Sequence, residues 1–179
     1  TCHTDNPEAE AAYLHFVEKI EPQLKPRQSA LEKIYVAHPQ RAGLLGIRKD
    51  GLHASPPGTG THQGHASGHY TVFDRDVQVR VELFRPDNVA LETEEARLGQ
   101  QYQKLIGAQT VNFRGEERTL TQMGRHLEEP DRGLRQEAWE LITRRRLQDA
   151  EKCEDVFDAL VRLRGQIAAN AGFANYRDY

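Results

Sequence analysis

The stretch DRGLRQEAWELITRRRLQDAEKCEDVFDALVRLRGQIAANAG, residues 131–172, decides the fold class. Leu134, Ala138, Leu141, Ile142 and Leu147 recur mostly at steps of three and four. Cys153, Val156, Phe157, Leu160, Leu163, Ile167 and Ala171 continue the pattern, as one side of an α-helix requires. Asp131 is placed to cap the start and Gly172 to stop the end. The segment reads as one long helix or two abutting ones.

Upstream of it, Leu120, Met123 and Leu127 begin a short helix that Pro130 terminates. Val111 and Phe113, then Arg114-Gly115-Glu116-Glu117, then Thr119-Leu120 predict a small β-hairpin near 109–120. Leu91, Leu98, Tyr102, Leu105 and Ile106 mark a helix over 90–106, closed by Gly107. Residues 74–85 are ambiguous. Val77, Val79, Val81 and Leu83 alternate with polar residues as in a strand, yet Asp74 as a cap with Val77, Val81 and Phe84 on one face would make a helix.

At the N-terminal end, Tyr13, Phe16, Val17, Ile20 and Leu24 predict a helix over 6–24, with Asp5 as N-cap and Pro7 in its first turn. Pro22 and Pro26 punctuate its end, and Leu31, Ile34 and Tyr35 supply a second stripe. Residues 1–39 are therefore expected to form a helical hairpin. Tyr13, Phe16, Ile20, Leu105, Trp139, Phe157, Leu160 and Leu163 are the expected core, with Trp139 lying beside the main stripe. The fold class is mainly α, with helical hairpins, a long C-terminal helix and one small β-hairpin.

Residues 40–69 differ in character. They hold seven of the 14 glycines and four of the eight histidines, so they bury too little apolar surface to offset the entropy of ordering them. This is the Gly/His-rich insertion or loop between the 1–39 and 70–179 parts, and 43–69 is expected to be the least ordered stretch.

Composition sets limits on function. Lys and Arg number 24 against 27 Asp and Glu, the pI is near 6.2 and mean hydropathy is −0.75, which disfavours nucleic acid as a partner. No apolar run approaches the roughly 20 residues a membrane span needs. Cys2 and Cys153 make no disulfide framework, so a cytoplasmic setting is expected.

Candidate chemistry is sparse. His62, His65 and His69, with His53 upstream, have a spacing at which imidazoles converge on zinc or nickel, but a Gly/Ser/Pro setting offers no scaffold to hold them. Arg144-Arg145-Arg146 is surrounded by Glu137, Glu140, Asp149 and Glu151 and reads as a solvated helix face. Cys153 sits on an apolar stripe and reads as core, while the neighbours Cys2 and His3 lack a third orienting group. No H-E-x-x-H, Walker loop, G-x-G-x-x-G, G-x-S-x-G or paired C-x-x-C occurs. No residue is assigned as catalytic, cofactor-binding or metal-ligating.

Arg164 and the run Ile167-Ala168-Ala169-Asn170-Ala171-Gly172-Phe173-Ala174-Asn175-Tyr176-Arg177-Asp178-Tyr179 resemble a segment of the oligoendopeptidase F group, relatives of thimet oligopeptidase. Asp131-Arg132 with Arg135 and Ala138-Trp139, the run Phe113 to Leu120, Leu91-Glu92-Thr93-Glu94-Glu95 and Gln100-Gln101-Tyr102 are similar in the same order. So are Thr1-Cys2-His3-Thr4-Asp5 and Tyr13-Leu14-His15-Phe16, and the likeness spans 1–39 and 70–179.

The resemblance implies a zinc metallopeptidase of zincin type, in which helices enclose a channel that only short peptides enter. The group's H-E-x-x-H helix, two imidazoles on zinc with a glutamate to activate water, follows the G-F-x-N-Y-R-D-Y stretch and is not in this chain. The chain is thus expected to be an N-terminal or internal portion of one larger domain, forming channel wall and binding no zinc itself. Its substrates, short peptides, would be met by the full-length enzyme. A non-catalytic helical remnant or partner-binding module is the alternative. About twenty residues of 40–69 exceed the group's connection there, and for 74–85 the resemblance implies helix.

Overall fold

The computed structural model describes residues 6–41 and 70–179. The first described element is α1 (Pro7–His15), capped by Asn6, whose Oδ1 accepts the Glu8 and Ala9 N–H groups at 3.0 and 3.2 Å. The cap is thus Asn6, where Asp5 was expected; Pro7 opens the first turn as predicted. A π-helical turn, Phe16–Ile20, leads without a break into α2 (Glu21–Ala37).

This corrects the hairpin expected over 1–39: the backbone stays right-handed helical through His15, Phe16, Ile20 and Glu21, and no reversal occurs. The prolines act differently from punctuation. Glu21 donates its N–H to the Phe16 carbonyl, and this widened turn ends next to Pro22, which has no N–H to give and whose ring would crowd a regular turn. Pro26 lies inside α2, and Gln23 Nε2 covers the Lys19 carbonyl at 2.7 Å.

Helix α3 (Thr71–Leu83) resolves the ambiguous segment as helix. Asp74 does not cap it; it lies buried in the first turn, accepting from Tyr35 Oη and Gln78 Nε2 at 3.0 and 2.6 Å and ion-paired with Arg41, whose Nε lies 3.1 Å away. Next come α4 (Asn88–Gly107), β1 (Thr110–Phe113) and β2 (Glu116–Thr119). The antiparallel pair sets Thr110 opposite Thr119 and Phe113 opposite Glu116. Arg114 and Gly115 turn the corner with φ of 56° and 85°, the positive values a two-residue hairpin loop needs.

Thr119 starts α5 (Leu120–Gly124) with a reciprocal cap, its hydroxyl accepting from Gln122 N–H while the Gln122 side chain takes the Thr119 N–H. A 3₁₀ turn, Arg125–Leu127, precedes α6 (Arg132–Gln148), which Asp131 caps through Gly133 N–H at 2.8 Å. Of the two readings of 131–172, two helices are formed: Asp149 leaves helical geometry and α7 (Ala150–Ala171) follows. Gly172, at φ 91°, closes α7, with its own N–H on Ala169 and that of Phe173 on Ala168.

Two apolar clusters hold these elements. Leu98 of α4 meets Val156, Leu163 and Ile167 of α7, with Leu91, Leu105, Leu160 and Tyr179 packed around them. Phe113 of the hairpin meets Met123 of α5 and Ala138 and Ile142 of α6. Each fully buried side chain of this size contributes about 1.5–3 kcal/mol.

Of the expected core, Leu163 is buried and Leu105 and Leu160 are half-buried against the first cluster. Tyr13, Phe16, Ile20, Trp139 and Phe157 are exposed, which corrects their assignment. The error has one geometric origin at three sites. Phe16, Trp139 and Phe157 each adjoin a buried residue, Val17, Ala138 and Val156, and one residue along a helix turns the side chain by about 100°.

A polar clamp joins α4 to the end of α7. Asn88, fully buried, donates Nδ2 to the Ile167 carbonyl at 3.0 Å and accepts from Asn170 Nδ2 at 2.7 Å. Arg85 Nη2 reaches the Ala171 carbonyl at 3.2 Å, covering a helix-end acceptor that has no partner within the helix.

Candidate functional site

The face of the hairpin away from Phe113 carries Thr110, Glu117 and Thr119, because residues alternate across a strand. Together with Tyr102 and Ile106 from the end of α4, Arg146 of α6 and Cys153 of α7, they line an open cleft of about 1060 Å³. Thr110 Oγ1 donates to Glu117 Oε1 at 2.7 Å on its wall.

Asp149, buried at the α6–α7 junction, is bonded to Gln109, which lines the cleft. Its Oδ2 accepts from Arg145 Nη1 at 2.5 Å and from Gln109 Nε2 at 3.2 Å, while Lys152 Nζ lies 3.5 Å from Oδ1. The Arg145 hydrogen bond, then that of Gln109, hold the Asp149 carboxyl below the usual aspartate range against the opposing effect of burial. One carboxylate thus fixes the end of α4 against two helices. Arg145 is half-buried in this role, whereas Arg144 and Arg146 are exposed, so the arginine run is only in part a solvated face. Cys153 is half-buried at the cleft wall, short of the full core position expected.

A second recess of about 250 Å³ lies between α2, α3, the start of α4 and Tyr179. Lys25 Nζ meets Glu92 at 2.8 Å and Arg80 Nε meets Glu32 at 2.8 Å on its rim. Burial acts to lower the Lys25 pKa, but Glu92 and Glu21 outweigh it and the net shift is upward. Burial pushes the Tyr179 phenol up. Tyr179 is held by an edge contact with Phe173 and by the Asn175 turn, and Arg164 bridges Glu95 at 2.7 Å while lying over the Tyr176 ring. The G-F-x-N-Y-R-D-Y stretch is therefore folded back onto α4.

A third recess, on the outer face of α6, has a volume of about 520 Å³ and is lined by Leu127, Arg132, Arg135, Gln136, Trp139 and Glu140. Sequence reasoning missed it by placing Trp139 in the core; the available signal was the position of Trp139 beside the apolar stripe.

These recesses offer hydroxyls, amides, guanidinium groups and apolar surface. Among the described residues, no three His, Cys, Asp or Glu side chains are grouped to hold a metal ion. His53, His62, His65 and His69, the 40–69 insertion and Cys2 with His3 lie outside the described residues. No helix among those described is long and apolar enough to cross a membrane.

No family model matches the chain, and comparison with curated proteins finds no match. Solved structures do match. A PZ peptidase A, solved with an inhibitor, is 26% identical with a TM-score of 0.77 over 97% of this chain. A structure described as an oligoendopeptidase F is 25% identical with a TM-score of 0.76 over 98%. A further structure described as an oligoendopeptidase F, from Bacillus anthracis, shares the fold at 20% identity and a TM-score of 0.78 over 98%. The chain spans 27%, 27% and 28% of the length of these structures. The likeness in structure thus falls on the oligoendopeptidase F and PZ peptidase group, the same group that the motifs of this chain resemble.

Proposed function

We propose that this chain is the N-terminal helical portion of a zinc-dependent oligoendopeptidase, forming part of the wall of its peptide channel and none of its catalytic centre. The observation that carries this reading is the match of almost the whole chain, at TM-scores of 0.76 to 0.78, to little more than a quarter of each peptidase structure. Zinc, its ligands and the base that activates water would come from another part of the enzyme; short peptides would be the substrates and the cytoplasm the setting. In this role the recesses contribute to what fits and how it lies, since orientation at a zinc centre is set by contacts remote from the reacting bond.

Sequencing the coding region beyond Tyr179 is the direct test. An in-frame H-E-x-x-H supports the reading, and a stop codon there in the natural gene favours the non-catalytic module instead. A quenched fluorogenic peptide assay gives a second measure. With zinc supplied, the 179-residue chain should show no turnover above background. Chelator-sensitive turnover abolished by His62→Ala would overturn the proposal and make the histidine segment an active site.

A further inference from the structure

The outer face of α6 bears a Trp139 that is 58% exposed, beside two arginines. Residues 132, 135, 136, 139 and 140 stand at helical spacing on one side of α6, turned away from the Ala138 and Ile142 side that packs on Phe113. Leu127, exposed on the preceding turn, closes one end of the groove.

Among the residues that line it, two arginines stand against one glutamate. Glu140 is engaged by Gln136 Nε2 at 2.9 Å. Arg135 commits Nη1 to the Glu129 and Pro130 carbonyls at 2.6 and 2.8 Å, which fixes the plane of its guanidinium and leaves its other N–H groups for a ligand. Arg132 is exposed at the head of the helix. The groove lining therefore presents a large indole, a leucine and two guanidinium groups against one carboxylate. Tryptophan and arginine dominate the energetics of binding surfaces, and a guanidinium fork matches a carboxylate.

We propose that this groove binds an acidic peptide segment, with an apolar side chain of the peptide on the Trp139 indole and its carboxylate side chains on Arg132 and Arg135. The peptide as partner class rests on the oligopeptidase reading; the acidic and apolar character comes from the groove.

Trp139 is the single tryptophan of the chain, so its fluorescence reports this groove alone. The full chain would be titrated with a capped tetrapeptide carrying leucine and phenylalanine between two glutamates, and with a twin in which glutamine replaces glutamate. A saturable blue shift is expected with the acidic peptide, and binding ~10-fold weaker with the twin. Arg132→Glu should weaken the acidic peptide by ~10-fold or more without lowering the unfolding midpoint, because an acid in the first helical turn complements the helix dipole. Equal binding of both peptides, no saturable shift with either, or unchanged affinity in the Arg132→Glu chain would overturn the proposal. None of these readouts needs hydrolysis or residues beyond Tyr179, so the titration and the coding-sequence test can fail separately.

Discussion

Leu163 and Ile167 of α7 and Ile20 and Leu24 of the N-terminal helical run are paired at the same four-residue step, but their fates differ. Ile167 is 1% exposed, while Ile20 is 41% exposed. Both apolar clusters draw all their members from residues 91–179, and the 7–37 run contributes only Val17 and Ser29 to the buried residues. That run is tied down instead by polar links. Lys104 meets Glu10 at 2.8 Å, Lys25 meets Glu92, Arg80 meets Glu32, and Asp74 gathers Tyr35 and Arg41. Partly exposed ion pairs contribute about 0–1 kcal/mol each, far less than a buried aliphatic side chain. A stripe in the sequence is an offer of burial, and whether it is taken up depends on what lies opposite.

The contrast can be broken most directly by cavity formation. Ile167→Ala should cost about 2–5 kcal/mol, whereas Ile20→Ala, leaving no cavity, should change stability by no more than about 0.5 kcal/mol. Chemical denaturation of the two variants measures both, and equal losses would show that the N-terminal run is packed as tightly as α7. A smaller effect is expected at the polar clamp. Asn88→Ala removes a bond to the Ile167 carbonyl and leaves the Asn170 amide without its acceptor, at a cost of about 1–3 kcal/mol. Hydrogen exchange should locate that loss at the α4–α7 contact and spare α2.

The smallest effect sharpens the comparison through pH. Arg145 and Gln109 hold the folded-state pKa of Asp149 down, so its contribution is present above the ordinary aspartate value of about 3.9 and is lost as pH falls through the lower folded value. Asp149→Asn should therefore lower the unfolding midpoint at pH 7, and the gap to the unaltered chain should close below pH ~4. A gap independent of pH would mean that shape, and not charge, matters at the α6–α7 junction.

Much of the fold was legible in the residues. Arg114-Gly115 between apolar and threonine-bearing segments announced the hairpin, and Asp131 and Gly172 marked helix ends that the structure keeps. These are local signals, set by φ preference and by which backbone groups a short side chain can reach. The 74–85 segment was not legible from period alone, because alternating valines satisfy strand and helix templates alike; the motif resemblance implied helix, and the structure is helical there. Pro22 and Pro26 misled for a related reason. A proline normally ends a helix, but a single widened turn absorbs it when the chain on both sides is held helical.

The sequence by itself determined that the chain is mainly helical, where the hairpin turns, where α6 starts and where α7 ends, because caps, turn residues and periodicity act within a few residues of each other. Only the tertiary structure decided which stripes are core. Trp139 and Phe157 share helices with Ala138 and Val156 and differ from them by a single step, so no local property separates them. The packing of α7 on α4 and of α6 on the hairpin selects one side of each helix for burial, and the other side of α6, with Trp139 beside Arg132 and Arg135, stays exposed.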